Sequence, residues 1–225
     1  MRSILFDTET TGLNPLAGDR VIEIAALELF NDLPTGVTFH RLIDPERDIP
    51  DEATRIHGIS RDFLIGKPLF AEIAADFLEF IANDKLVAHN APFDFAFLDA
   101  EFSRLGHPML DRLRMVDTLP LAKLRFPGMP NSLDALCRRF AIDLSERNTH
   151  NALLDCKLLA EVYIELTGGR QRGLSLAAGR IETPVFVYQF NGPRTPRPML
   201  PSEAELAAHA VFIAGLKEPI WSKSA

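Results

Sequence analysis

Cysteine is scarce in this sequence: Cys137 and Cys156 are the only two in 225 residues. Their spacing matches neither a paired zinc motif nor a disulfide framework. Both fall in segments with helical patterning and read as reduced, buried, small apolar residues. No apolar segment approaches the roughly 20 residues needed to span a bilayer. Behind Met1 there is no basic stretch with an apolar core, so no secretory leader is expected and a cytoplasmic location is. Positive charge is also in short supply. Lys and Arg number 24 against 31 Asp and Glu, a net charge of −7, which argues against a protein that coats nucleic acid by electrostatics alone. An enzyme that grips only a short piece of a polyanion is not excluded, because part of the negative charge can be carboxylate that a bound cation neutralises. Hydrophobic residues at 47% and charged residues at 24% are the proportions of a globular domain. The length suffices for one substantial core and a short appendage.

Strand-like segments come first along the chain. Residues 2–7, 20–30 and 36–43 are rich in β-branched and aromatic side chains, and the joint Asn31–Gly36 carries hairpin-turn chemistry. Helical spacing then takes over in 69–82, where Ile73, Phe77, Leu78 and Ile81 recur on one face. A short strand at 84–88 leads to Pro92, which suits the first turn of a helix running to about Leu105. Further helices are expected at 118–125, 132–140 and 151–166, with Gly168 and Gly169 as the stop. Strands followed by alternating elements predict an α/β fold, a mixed sheet flanked by helices. No internal repeat is visible. From Gly168 the composition turns Gly- and Arg-rich and then proline-rich, so a boundary is expected near 168–172. The expected division is a domain at 1–168, a linker at 169–181 and a tail at 182–225 with strand-like and amphipathic stretches.

The chemistry resides in three clusters. In LFDTETTG, Asp7 and Glu9 are two positions apart, so on a strand both carboxylates project from one face. Such a pair at the end of an apolar strand is costly without a cation or proton between them, and hard oxygen ligands suit Mg²⁺ or Mn²⁺. Solvated acids on an exposed strand end are the alternative for this motif alone. Thr10, Thr11 and Gly12 add hydroxyls, backbone N–H groups and a tight turn able to hold a polar substrate. In HNAPFDFAFL, Asp94 sits just inside a helix, where an acid also serves merely to complement the helix dipole. Asn90 and Phe93 could meet a nucleotide by hydrogen bonding and stacking, or be an ordinary cap and a core aromatic. In RNTHNALLDCKLLAEVY, His150 and Asp155 are about 500° apart around a helix, so they converge only if His150 lies in the loop or first turn. A mobile general base fits that place, histidine being the side chain that changes charge nearest neutral pH; a structural His fits it too. Together, four carboxylates and one histidine at the ends of elements are the set that two-metal phosphodiester hydrolysis requires, with the acids holding cations and the His taking a proton from water.

These three segments, FDTETTGL, HNAPFDFAFL, and NSLDALCRRF followed by THNALLDCKLLAEVY, resemble the exonuclease motifs of the DEDDh family of 3′–5′ exonucleases. Their order and spacing resemble those of the proofreading epsilon subunits of bacterial DNA polymerase III. The likeness spans about residues 3–168 with no motif residue missing. It implies an RNase H-like sheet with helices on both sides. It also implies two divalent cations: Asp7 bridging both, Glu9 and Asp155 on the first, and Asp94 acting through water. His150 would be the general base, and the product a nucleoside 5′-monophosphate. Thr10 and Thr11 would line the terminal nucleotide, with Phe93 and Asn90 close by. IPDEATRIHGIS resembles the same family and would bring His57 near the substrate, although a loop histidine capping backbone groups reads equally from the residues.

The tail extends the resemblance. Gln171–Leu176 looks like a degenerate sliding-clamp peptide anchored by Gln171, Leu174 and Leu176, or like a linker with incidental leucines. Residues 182–222, with the lone Trp221, resemble a segment that docks on the polymerase catalytic subunit; a small helix folded back on the domain is the plain alternative. The expected partners are therefore a single-stranded or frayed DNA 3′ end, the replicative polymerase and the sliding clamp. Rival expectations are an RNA-trimming relative, which the long tail disfavours, and a non-catalytic bridging module, for which clustered carboxylates would be useless. A structural Ca²⁺ domain would draw its ligands from one contiguous loop.

Overall fold

The computed structural model describes residues 1–145, 147, 149–168 and 199–217. It comprises two compact units, Met1–Ser175 and Leu176–Ala225. The first is built on five strands: β1 (Arg2–Thr10), β2 (Val21–Phe30), β3 (Leu33–Leu42), β4 (Lys85–Ala88) and β5 (Met115–Asp117), in the order β3-β2-β1-β4-β5. β1, β2 and β3 pair antiparallel, whereas β4 and β5 continue the sheet parallel to β1. The mixed sheet expected from the sequence is present, and helices cover both of its faces.

Each strand's pattern follows its position. β1 sends Ile4 and Phe6 into one core and Leu5 into the other. β2, buried on both faces, is apolar at nearly every position, as a central strand must be. β3 is an edge strand and therefore accommodates Pro34. The turn between β2 and β3 is tighter than the expected joint of 31–36. It consists of Asn31 and Asp32 alone, with φ of 53° and 65°, and Leu33 already pairs with Phe30. A two-residue turn with both φ positive matches the twist of a hairpin, and Asn and Asp tolerate that region.

One face of the sheet is covered by α3 (Phe70–Ile81) and α4 (Ala91–Arg104). α3 buries Phe70, Ile73, Ala74, Phe77 and Ile81, a helical stripe. The other face is covered by α5 (Thr118–Arg125), α6 (Leu133–Arg139) and α7 (Ala152–Leu166), whose apolar sides bury both free cysteines. Two short helices that the sequence pattern does not announce, α1 (Asp51–His57) and α2 (Arg61–Leu64), lie between β3 and α3. Buried Glu101 on α4 binds Arg20 through two bonds of 2.7 and 2.9 Å and accepts from Val21 N–H at 3.2 Å, which fixes α4 against the start of β2.

In the second unit, α8 (Glu203–Ala214) begins with a capping box in which Ser202 and Glu205 satisfy each other's backbone N–H groups. No helix among the described residues is long and apolar enough to cross a membrane. The expected clamp residues Gln171, Leu174 and Leu176, the strand-like stretch 183–190 and Trp221 lie outside the described residues.

Candidate active site

β1 reaches Thr10, so Asp7 and Glu9 lie within the strand rather than beyond its end. By alternation they share the face of Leu5, the face covered by α7, while Thr8 points to the α4 side. On that side Asp94, in the first turn of α4, is buried and not the surface acid that a first-turn position usually holds. Its Oδ1 accepts from Thr8 N–H at 3.1 Å and from the Thr8 hydroxyl at 2.7 Å. On the other face, Asn151 caps α7 by accepting from Leu154 N–H at 3.0 Å. His150 lies just outside the helix and Asp155 in its first turn, so the two side chains meet, His150 Nδ1 lying 3.2 Å from Asp155 Oδ2. Ligand atoms of Glu9, His150 and Asp155 fall within 4.8 Å of one another. Segments far apart in sequence thus converge at the carboxyl end of β1, beside parallel β4. This is where open α/β sheets place their ligands.

The electrostatics identify the charge this site needs. Burial, followed by repulsion from Asp94, Glu9, Asp155 and Glu23, holds the Asp7 carboxyl well above its ordinary range. Burial and the Asp155 and Glu23 charges push Glu9 up to about 8. Asp94 is raised by burial to about 7 despite the bonds from Thr8 that oppose the rise. Asp155 goes the other way: the Arg147 and His150 contacts outweigh its burial and lower it. Among the described residues the side chains of Asp7 and Glu9 have no hydrogen-bond or ion-pair partner. Two hard-oxygen carboxylates, raised by burial and by neighbouring acids and with no direct ion pair, fit a divalent metal ion.

Beside the carboxylates opens a cavity of about 390 Å³, lined by Thr8–Leu13, Pro50, Ile56, His57 and Phe93 among others. His57 is buried at the end of α1. Its Nδ1 accepts from Ile59 N–H at 3.0 Å, and its buried Nε2 has no hydrogen-bond partner. Phe93 is half-buried, its ring tilted at 45° to that of Phe97 with 4.9 Å between centroids. Asn90 is exposed. It occupies the N-cap position of α4 with φ of 64° but does not cap it with its side chain, which corrects the cap reading and leaves the amide free of that duty. The Thr10 and Thr11 hydroxyls are not idle, as a substrate-holding role would suggest. Thr10 donates to Gly12 C=O at 2.6 Å; Thr11 donates to Asp19 at 3.3 Å and accepts from Arg20 N–H at 3.0 Å. Gly12 is required by close approach, since a Cβ there would lie 2.3 Å from Asp19 Oδ2.

Three residues of this site are absent from the sequence reading. Glu23 is fully buried and accepts from Asn151 Nδ2 at 3.0 Å and Ala152 N–H at 3.2 Å, while its Oε1 meets His40 Nε2 at 2.6 Å, so it pins the start of α7. An acid inside the apolar stretch Val21–Leu27 is the signal for it. Arg147 grips Asp155 through Nε at 2.6 Å and Nη2 at 2.7 Å; a loop arginine gives no such signal in sequence. His89, the first residue of HNAPFDFAFL, meets Thr118 Oγ1 at 2.8 Å and Asn131 C=O at 2.9 Å, joining the end of β4 to α5 and the approach to α6.

The RNase_T exonuclease family profile matches residues 4–163. The chain is 47% identical over 222 residues to the DNA polymerase III subunit epsilon of Rickettsia felis, covering 96% of this chain and 97% of that protein. It is 47% identical over 176 residues to the subunit of the same description from Escherichia coli K12, covering 75% and 72%. Its fold is similar to exonuclease X solved with 5′-overhanging duplex DNA, with a TM-score of 0.59 and 25% identity over 73% of this chain and 90% of that one.

Proposed function

Because this chain belongs to the RNase_T exonuclease family, within the group of DNA polymerase III epsilon subunits, we propose that it is the proofreading 3′–5′ exonuclease of a replicative DNA polymerase. The reaction is hydrolysis of the 3′-terminal phosphodiester. Water oxygen bonds to phosphorus, the P–O3′ bond breaks, and a nucleoside 5′-monophosphate leaves. The observation that carries this reading is the convergence of Asp7, Glu9, Asp94 and Asp155 with His150, with Asp7 and Glu9 both raised by burial and by the surrounding acids.

Two divalent cations, Mg²⁺ or Mn²⁺, held by Asp7, Glu9 and Asp155 with Asp94 acting through water, would supply charge neutralisation at the scissile phosphate and ease deprotonation of water. The protein's own groups do the rest. His150 is half-exposed at the site's edge, with Nδ1 turned toward Asp155, so Nε2 is the nitrogen that takes the proton from the attacking water. Thr8 holds Asp94 to β1, and Glu23 holds the segment that carries His150 and Asp155. The cavity accepts the terminal nucleotide. Phe93 offers a ring to its base and His57 Nε2 a buried polar atom still in need of a partner, while exposed Asn90, outside the cavity lining, would offer an amide from the start of α4. Backbone from Thr10 to Gly12 shapes the opposite wall, the Thr10 and Thr11 hydroxyls bracing that loop.

Residues 1–168 form the exonuclease domain in this reading, 169–181 a linker whose Gln171, Leu174 and Leu176 engage the sliding clamp, and 182–225 a tail that docks on the polymerase through Trp221. Its place of action is the cytoplasm, with the replicating polymerase. Digestion of 5′-labelled single-stranded DNA tests the activity: a ladder shortening from the 3′ end with Mg²⁺, abolished by EDTA and by Asp7→Ala. Intact substrate in every lane, with Mn²⁺ also tried, refutes it. Deleting 170–225 is expected to leave hydrolysis of short single strands and abolish co-purification with the polymerase subunit; retained co-purification refutes the tail assignment.

A further inference from the structure

Asp155 differs from its neighbours in already holding a cation. The Arg147 side chain, only 7% exposed, lies flat against it, donating Nε–H to Oδ1 at 2.6 Å and Nη2–H to Oδ2 at 2.7 Å. The same Nη2 lies 2.9 Å from His150 Nδ1, and Nη1 pairs with Asp134 on α6. One buried guanidinium therefore occupies both oxygens of a proposed metal ligand and the inner nitrogen of the proposed base. This two-bond fork is the arrangement in which arginine binds carboxylate most strongly.

The contacts of His150 Nδ1 are mutually exclusive in a neutral ring. Nδ1 either accepts from Arg147, which puts the ring's N–H on Nε2, or donates to Asp155 at 3.2 Å, which leaves Nε2 as the acceptor. Only the second arrangement lets Nε2 take a proton. A guanidinium seated on Asp155 thus opposes a divalent cation at that carboxylate and also holds the base in its idle tautomer. Asp134 offers a second seat within the same fork, outside the carboxylate cluster.

We propose that Arg147 is the resident counter-ion of the metal-free site, competing with the divalent cation for Asp155 and releasing Asp155 and His150 Nδ1 together when the cation binds. Arg147 is then a positioning residue that couples metal loading to readiness of the base. The inference rests on the metal-site reading given above, and titration with Mn²⁺ alone keeps the two apart. Calorimetry without nucleic acid is expected to show Arg147→Gln binding Mn²⁺ roughly ten- to hundredfold tighter than the unaltered protein, the worth of one charge-assisted pair, with Arg147→Lys in between. Unchanged or weaker binding by Arg147→Gln overturns the inference, because an arginine that merely orients Asp155 would aid the metal. Binding of Mn²⁺ by neither protein overturns the metal site itself and the inference with it. An NMR measurement on the unaltered protein guards against a variant that fails to fold. The Arg147 Nε–H resonance should exchange slowly in EDTA and lose that protection at saturating Mg²⁺; protection that persists overturns the proposal.

Discussion

Replacing Glu9 by Gln should stabilise the metal-free protein at alkaline pH while destroying its function. Glu9 is buried, and its carboxyl moves from an ordinary 4.5 in the unfolded chain to about 8 in the fold. The folded state therefore holds this proton more tightly than the unfolded state does. Its contribution to stability is fully present below about pH 4.5 and is lost as pH rises through about 8. Carrying the ionised form into the fold costs on the order of 5 kcal/mol. At the roughly 2–4 °C per kcal/mol typical of a domain this size, that is about 10–20 °C in Tm. Gln fills the same space without ionising. In EDTA the two proteins should melt close together at pH 5 and diverge toward pH 8, the variant melting higher. Asp7 and Asp94, also raised by burial, keep some downward slope in both. Mg²⁺ should reverse the order, because it stabilises only the protein that can bind it. Thermal melts monitored by circular dichroism, from pH 5 to 8 with and without Mg²⁺, measure this directly. A Tm gap in EDTA that does not widen between pH 5 and 8 would refute the argument that Glu9 is raised by its surroundings.

Other substitutions separate the roles of the remaining groups. His150→Ala should lower kcat by roughly 10²–10⁴, as expected for loss of a general base, while Mn²⁺ still binds in calorimetry; lost metal binding would make His150 a ligand instead. Glu23→Ala removes the acceptor of buried Ala152 N–H, and chemical denaturation should show a loss on the order of 2–3 kcal/mol. Unchanged stability would mean that α7 is fixed by packing alone. Gly12→Ala places a methyl against an Asp19 carboxylate already tied by Thr11, Asn14 and Arg47. It should cost on the order of 1–3 kcal/mol in the same assay, and a neutral result would show that the loop yields freely.

What could be read in advance was whatever one residue type states alone or at a fixed period. The apolar run of β1, the stripe of α3 and the stop after α7 are local patterns; α3 and α7 appear within a residue of their expected spans, while β1 runs three residues past 7 because polar DTET gives no strand signal. The hairpin turn is narrower than the joint at 31–36 because Pro34 and Gly36 sit within β3, an edge strand that tolerates them. α1 and β5 are too short to show a period, having seven and three residues. Asp7 and Glu9 are legible because carboxylates on an apolar strand are costly without a purpose, whereas Asp94, His150 and Asp155 stand out only in combination and by the resemblance of their segments to the exonuclease motifs. Glu23 carried the same signal and was passed over because it falls outside the motifs. Arg147 could not be seen, since its significance lies wholly in a fork made across eight residues of chain and onto a second helix. The engagement of the Thr10 and Thr11 hydroxyls was hidden for a like reason: their partners Gly12 and Asp19 are specified by the loop's path and by no pattern in TTG.

The order in which strands meet bears on when this molecule becomes dangerous to nucleic acid. β1, β2 and β3 form an antiparallel meander of neighbours in sequence, the kind of pairing that closes early because little chain must be ordered to make it. Asp7 and Glu9 are carried on that first-formed piece. Asp155 and His150 come only with α7, after β4, β5 and the six helices α1 to α6. On a ribosome, the growing chain therefore displays half of a nuclease well before it holds the other half. The proposed centre is complete only when the late helix docks across β1 and β2, so a chain that stops short of α7 lacks two of its five residues.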